Sequence, residues 1–134
     1  MSKLVEELKK QHVAILQIFG EIQSLGIESK EGQAKLQAAK TGLLAHLGKE
    51  DKEFYPVMRK AAETDNRLRM LLRDFAQDME KISVFALKFF DKYAGGGSGI
   101  EFAKDFATLA STLKSRISRE ETILYKEYDE IHPE

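Results

Sequence analysis

The sequence predicts an all-α protein, an antiparallel up-down-up-down four-helix bundle in which residues 1–134 form a single domain. Three observations carry that prediction. Apolar residues recur every three or four positions along nearly the whole chain. No stretch shows the strict alternation of a half-buried strand, and only short breaks separate the periodic segments. With 134 residues, 43% hydrophobic and 32% charged, the chain also has the size and composition of one ordinary globular core.

Taken in order, the first helix shows Leu4, Leu8, His12, Ile15, Phe19 and Ile22 on one stripe, behind Ser2 as a candidate N-cap. Leu25-Gly26-Ile27 makes the first break, and Ser29 caps a second helix running to about residue 62. Pro56 falls inside that helix and should kink it or end its regular part. Thr64-Asp65-Asn66 opens a third helix whose stripe is Leu68, Leu72, Phe75, Met79, Ile82, Ala86, Phe89 and Tyr93. Residues 94–99, AGGGSG, resemble a linker but are too few for a domain boundary. Ser98 followed by Glu101 has the pattern of a capping box for a fourth helix to about residue 131.

Composition excludes several function classes. A formal net charge of −1 offers no electrostatic footprint for nucleic acid or an anionic membrane. There is no cysteine, which removes disulfides, thiolate ligands and a cysteine nucleophile, and fits a reducing compartment. The opening MSKLVEELKKQH is charged from its start and shows no secretory h-region. No apolar run approaches the roughly 20 residues that span a bilayer. The expectation is a cytoplasmic protein. No nucleophile–base pair or phosphate loop is visible, so binding is expected and catalysis is not.

The informative stretch is AHLGKEDKEFYP, residues 45–56. Positions four apart share a helix face, so Leu43, His46, Glu50, Phe54 and Val57 form one stripe, apolar except for its two polar members. An ionised carboxylate on a core-facing stripe needs a metal, a cation or water to compensate it. At an offset of 70 the same pattern returns: HLGKEDKEFYP lies over RISREETILYK, matching Glu50 with Glu120 and Tyr55 with Tyr125. The fourth stripe reads Phe106, Leu109, Leu113, Arg116, Glu120 and Ile123, so it too carries a polar insertion at mid-helix. Two related hairpins would thus meet with their polar groups at the bundle centre, where bundles build metal sites.

A lone His on the first helix, then H-x3-E with an acidic, Tyr-Pro-terminated run on the second and an EE-x3-Y echo on the fourth, resembles the hemerythrin-like (HHE cation-binding) family over essentially the whole chain. The resemblance implies a non-haem di-iron centre serving oxygen, nitric oxide or iron handling. It implies His12 and His46 as terminal metal ligands and Glu50 and Glu120 as bridging carboxylates. The departures from that pattern are specific. The family expects His on the third helix and another one turn before the fourth-helix acid. Here no His occurs between His46 and His132, the third helix offers Met79 and Ile82, and Arg116 occupies the fourth-helix ligand position. A five-His, two-iron centre is therefore excluded.

Two readings remain. In one, Arg116 snorkels outward and His12, His46, Glu50 and Glu120 surround one cation, iron or another divalent metal, with a diatomic gas as further ligand. In the other, Arg116 pairs with Glu50 or Glu120 inside the bundle, no metal is held, and the domain is a protein-interaction or regulatory module. A di-iron oxidase would need more core carboxylates than these stripes supply. Of the remaining polar residues, Asp51, Glu53 and Glu121 should be solvated, with Glu80 as a substitute carboxylate one position off its stripe. Tyr55 and Tyr125 should hydrogen-bond near the bundle end, and His132 should be exposed and uninvolved. Counted from the first connection, His46 lies roughly five residues deeper than His12, about 7 Å at 1.5 Å per residue, so they meet only if one helix overhangs the turn.

Overall fold

The computed structural model describes residues 2–131, which form four helical rods and no strand. The first is α1 (Lys3–Leu25). The second is α2 (Lys30–Lys49), which passes through a π-helical turn, Glu50–Phe54, into α3 (Tyr55–Ala62). The third is α4 (Asn66–Lys92). The fourth repeats the second: α5 (Gly99–Arg119), a π-helical turn Glu120–Leu124, then α6 (Tyr125–Ile131). No helix is long and apolar enough to cross a membrane among the described residues. His132 lies outside them.

The predicted caps are present at three starts. The Ser2 hydroxyl accepts from Val5 N–H, Ser29 from Gly32 N–H, and the Asp65 carboxylate from Leu68 N–H. The fourth start departs from prediction. Ser98 is the N-cap residue, but its side chain makes no capping bond, and Glu101 pairs with Lys92 at 3.4 Å instead. The first break has a backbone cause. Gly26 ends α1 at φ +72°, and a Cβ on Gly32 would stand 1.9 Å from the Gly26 carbonyl oxygen. Only glycine lets α2 start that close to the end of α1.

The regular α-helix of the second rod gives way to the π turn before Pro56, and the rod continues beyond it as α3. Pro56 sits in the first turn of α3, directly after the π turn. The fourth rod makes the same π turn with Lys126 in the corresponding place, so proline does not cause it. The widened turn also corrects two stripe assignments. After Glu50 the buried positions are Phe54, Met58 and Ala62, while Val57 is only half-buried; after Glu120 they are Leu124, Tyr125 and Tyr128, while Ile123 is 42% exposed. A π turn absorbs one more residue than an α turn, which moves the inward face on by one position.

The core comes in two parts. One cluster, around Phe19, Leu36, Phe89 and Leu109, fills the half of the bundle near the α1–α2 connection. The other, around Leu8, Phe54, Leu72 and Tyr128, fills the opposite half. Between them lies a buried polar layer of His12, His46, Glu50, Arg116 and Glu120.

Candidate metal centre

All four residues singled out from the sequence converge in that layer, and each is 1–3% exposed. His12 comes from α1, His46 from the last turn of α2, and Glu50 and Glu120 are the first residues of the two π turns. π turns of this kind recur at functional sites because they re-aim side chains within an otherwise regular helix. The depth offset counted from the sequence does not separate the imidazoles: His12 Nε2 stands 3.0 Å from His46 Nε2. Glu120 Oε1 is 3.1 Å from His12 Nε2. Donor atoms of His12, His46 and Glu120 all lie within 4.8 Å of one another. Glu50 stands one step back, with Oε2 3.6 Å from His46 Nε2 and accepting a 2.7 Å hydrogen bond from the Tyr125 hydroxyl.

The outer nitrogens fix how the inner ones are presented. His12 Nδ1 is 2.8 Å from Glu121 Oε2, and His46 Nδ1 is 2.7 Å from Gln11 Oε1. A carboxylate and an amide oxygen only accept, so both Nδ1 atoms carry their protons outward. With neutral rings, two Nε2 lone pairs and the Glu120 oxygen then face one another with nothing positive between them. Such a set fits a cation. Two ligands about 2.0–2.1 Å from one ion at angles of 90–110° stand roughly 2.9–3.4 Å apart, which brackets the 3.0 Å observed. Histidines that ligate metals usually give their other N–H to a carboxylate or carbonyl, as both do here. A small cavity of about 20 Å³ lies among these residues, closed on other sides by Leu43, Leu113 and Met79, and it has room for a single ion or water.

Arg116 does not snorkel. It is 2% exposed, and its guanidinium lies over the Phe75 ring at 4.6 Å. Nε donates to Glu120 Oε2 at 3.2 Å; Nη1 donates to the Phe75 carbonyl at 2.9 Å and to Asp78 at 3.1 Å; Nη2 donates to the Tyr55 hydroxyl at 3.4 Å. Glu120 thus divides its oxygens, one toward the imidazoles and one toward a permanent cation. The guanidinium pairs with Glu120 and not with Glu50.

The charge states follow from these contacts. Burial alone would raise Glu120, but His12 and Arg116 hold it below the usual carboxylate range. At Glu50 the balance is reversed: burial, then the nearby Glu120 charge, outweigh the Tyr125 hydrogen bond and push it up to about 8. Burial would lower His12, but its bonds to Glu120 and Glu121 raise it instead. Burial and the neighbouring His12 bring His46 down to about 4. Without a metal, one proton on His12 therefore takes the cation's place.

Several contributors lay outside the sequence-based set. Glu121, expected to be solvated, supports His12, because the π turn that begins at Glu120 swings the next residue inward. Tyr55 and Tyr125 bond within the polar layer rather than at the bundle end, and Tyr125 is 1% exposed. Gln11 and Asp78 were not singled out. Glu80 is exposed and does not substitute for a core carboxylate. A signal for the π turns was present in the spacing. The series 46, 50, 54, 58 and 116, 120, 124, 128 both step by four, whereas a straight α stripe alternates threes and fours.

Comparison with known proteins agrees with the geometry. No curated protein and no solved structure shows significant similarity to the chain. The family described as Hemerythrin HHE cation binding domain matches residues 3–128, nearly the whole length and every residue of the polar layer. The chain belongs to the hemerythrin HHE cation-binding family.

Proposed function

We propose that the protein binds one non-haem iron, or another divalent cation, through His12, His46 and Glu120, with Glu50 as a further donor. It would serve in oxygen, nitric oxide or iron handling in the cytoplasm, with the bound ion and a diatomic gas as its ligands. The observation that supports this reading most is the convergence of two Nε2 lone pairs and a carboxylate oxygen, with both Nδ1 protons committed outward. Two imidazoles and carboxylates suit iron, zinc or manganese. When bound, such a metal supplies a site at which a gas can be coordinated. The chain's own residues orient the imidazoles, exclude bulk water through the two apolar clusters, and keep a fixed positive charge beside Glu120. The role proposed is binding or sensing, not turnover.

Stoichiometry tests this reading directly. Untagged protein should carry at most one tightly held ion per chain by elemental analysis, because Arg116 stands on the far side of Glu120 where a second ion would need room and negative charge. Two irons per chain with an oxo-bridged visible spectrum would contradict it. A second test concerns support of the ligands. Glu121→Gln should weaken zinc binding about 10–100-fold in calorimetric titration while the fold is retained. Unchanged affinity would remove Glu121 from the site.

One observation favours a second reading, a metal-free bundle acting as an interaction module. Among the described residues no buried side-chain nitrogen or oxygen lacks a hydrogen-bond partner, so Arg116 and a protonated His12 can neutralise the layer unaided. Purified protein without metal, and without a melting-temperature rise on adding iron(II) or zinc, would select this reading.

A further inference from the structure

A groove of about 760 Å³ runs between the second rod and α4. Its size lies within the range of small-molecule pockets. Its walls are mostly apolar, with Leu47, Leu72, Ala76 and Met79 along its length. Glu50 and Tyr55 form part of its lining as well, so the groove reaches the polar layer from outside the bundle. The charges along it are sorted. Among the lining residues, Arg59, Arg69 and Arg73 lie nearer the α3–α4 turn along their helices, together with Glu63, while Asp51 and Glu80 lie further from it. Arg69 is held by bonds to the Ala62 and Glu63 carbonyls at 3.2 and 3.0 Å. Arg59 and Arg73 are exposed and have no ion-pair partner among the described residues.

We infer that this groove binds a small amphipathic monoanion, its acidic head against Arg59 and Arg73 and its apolar body along Leu72, Ala76 and Met79. Two guanidinium groups without ion-pair partners, both lining a mostly apolar trough, match one carboxylate, which arginine receives through paired N–H donors. Asp51 and Glu80 disfavour a second anionic group further along, so the ligand enters in one orientation with its tail toward Leu47. From Arg59 to Leu47 is 12 residues of helix, about 18 Å at 1.5 Å per residue, long enough for an extended ten-carbon chain. The tail then lies beside Glu50, so occupancy of the groove bears on the buried layer. The inference does not depend on a metal being present.

The test is calorimetric titration of the purified full chain with decanoate, decanol and acetate. Decanoate should bind saturably at one per chain, and decanol and acetate at least tenfold more weakly, because each has only half of the required chemistry. The double variant Arg59→Gln/Arg73→Gln should lose at least tenfold in decanoate affinity, and Ala76→Phe, which fills the trough from an exposed position, should abolish it. Melting temperature checks that both variants fold, and metal content measured on the same samples should not change. A loss of metal with the groove intact, or the reverse, therefore separates this inference from the metal reading. Decanol binding as tightly as decanoate, no saturable decanoate binding, or either folded variant retaining wild-type affinity would overturn it.

Discussion

Replacing Arg116 with Ala should lower stability by about 3–5 kcal/mol, the range for removing one partner of a buried ion pair. For a chain of this size that is a fall in melting temperature of roughly 10–20 °C. The loss is large because Glu120, 2% exposed, would keep its charge with only His12 to answer it. The Phe75 carbonyl and the Tyr55 hydroxyl would lose a donor as well, whereas Asp78 would retain Arg119 at 2.6 Å. Arg116→Lys should recover only part of the difference, since an ammonium cannot reach these acceptors with one planar fork. Arg116→His places an imidazole one turn before Glu120 and should raise zinc or iron affinity, because it adds a ligand and removes a competing positive charge. Thermal melts and metal content for the three variants provide the check. An Ala variant melting with the wild type would show that the guanidinium contributes nothing to the layer.

Glu50→Gln should stabilise the metal-free protein at alkaline pH by about 2–4 kcal/mol. The sign follows from the folded-state shift. Glu50 is raised from its ordinary 4.5 to about 8, by burial first and the Glu120 charge second, so the folded protein holds a proton there that the unfolded chain has released. That contribution is fully present below pH 4.5 and is lost as pH rises toward 8. His46 acts oppositely: lowered from 6.5 to about 4, it contributes stability above pH 6.5 that is lost as pH falls toward 4. His12, which burial would lower but its bonds to Glu120 and Glu121 raise above 6.5, adds a loss of the same sign, so between pH 6.5 and 8 the Glu50 and His12 slopes act together. Metal-free wild type should therefore lose stability across that window, and Glu50→Gln, neutral at position 50 throughout, should lose less, keeping only the His12 slope. Urea midpoints at pH 6.5, 7.25 and 8 would measure it. Parallel slopes for the two proteins would mean that Glu50 is already ionised in the folded state.

The sequence disclosed these features unevenly, for physical reasons. Rod positions and three of the four caps were legible because amphipathic period and capping chemistry are local. His12, His46, Glu50 and Glu120 were legible because a polar side chain on an apolar stripe has a cost that demands an explanation. The supporting residues were not. Gln11 and Asp78 lie on partly exposed faces, where a polar residue needs no explanation, and only tertiary contact reveals what they hold. Glu121, Val57 and Ile123 depart from an ideal helical wheel for one shared reason: each lies in or beyond a π turn. The steps of four after His46 and Arg116 held that information, but a drift of one residue is easily absorbed into a broad stripe. The fate of Arg116 was undecidable from one dimension, because a long side chain on an inner face can reach either the rim or a neighbour, and Phe75, Asp78 and Tyr55 decide it from two other rods.

The two π turns begin 70 residues apart, at Glu50 and Glu120, so His46 and Arg116 occupy matching places in the two halves of the chain. One half presents a neutral base that can accept a charge from the surroundings; the other has its charge encoded. A chelator, or a medium starved of metal, can strip whatever ion sits at the imidazole half and leaves the guanidinium half unchanged. Glu120 therefore keeps Arg116 as a positive partner whether or not the imidazole half holds an ion.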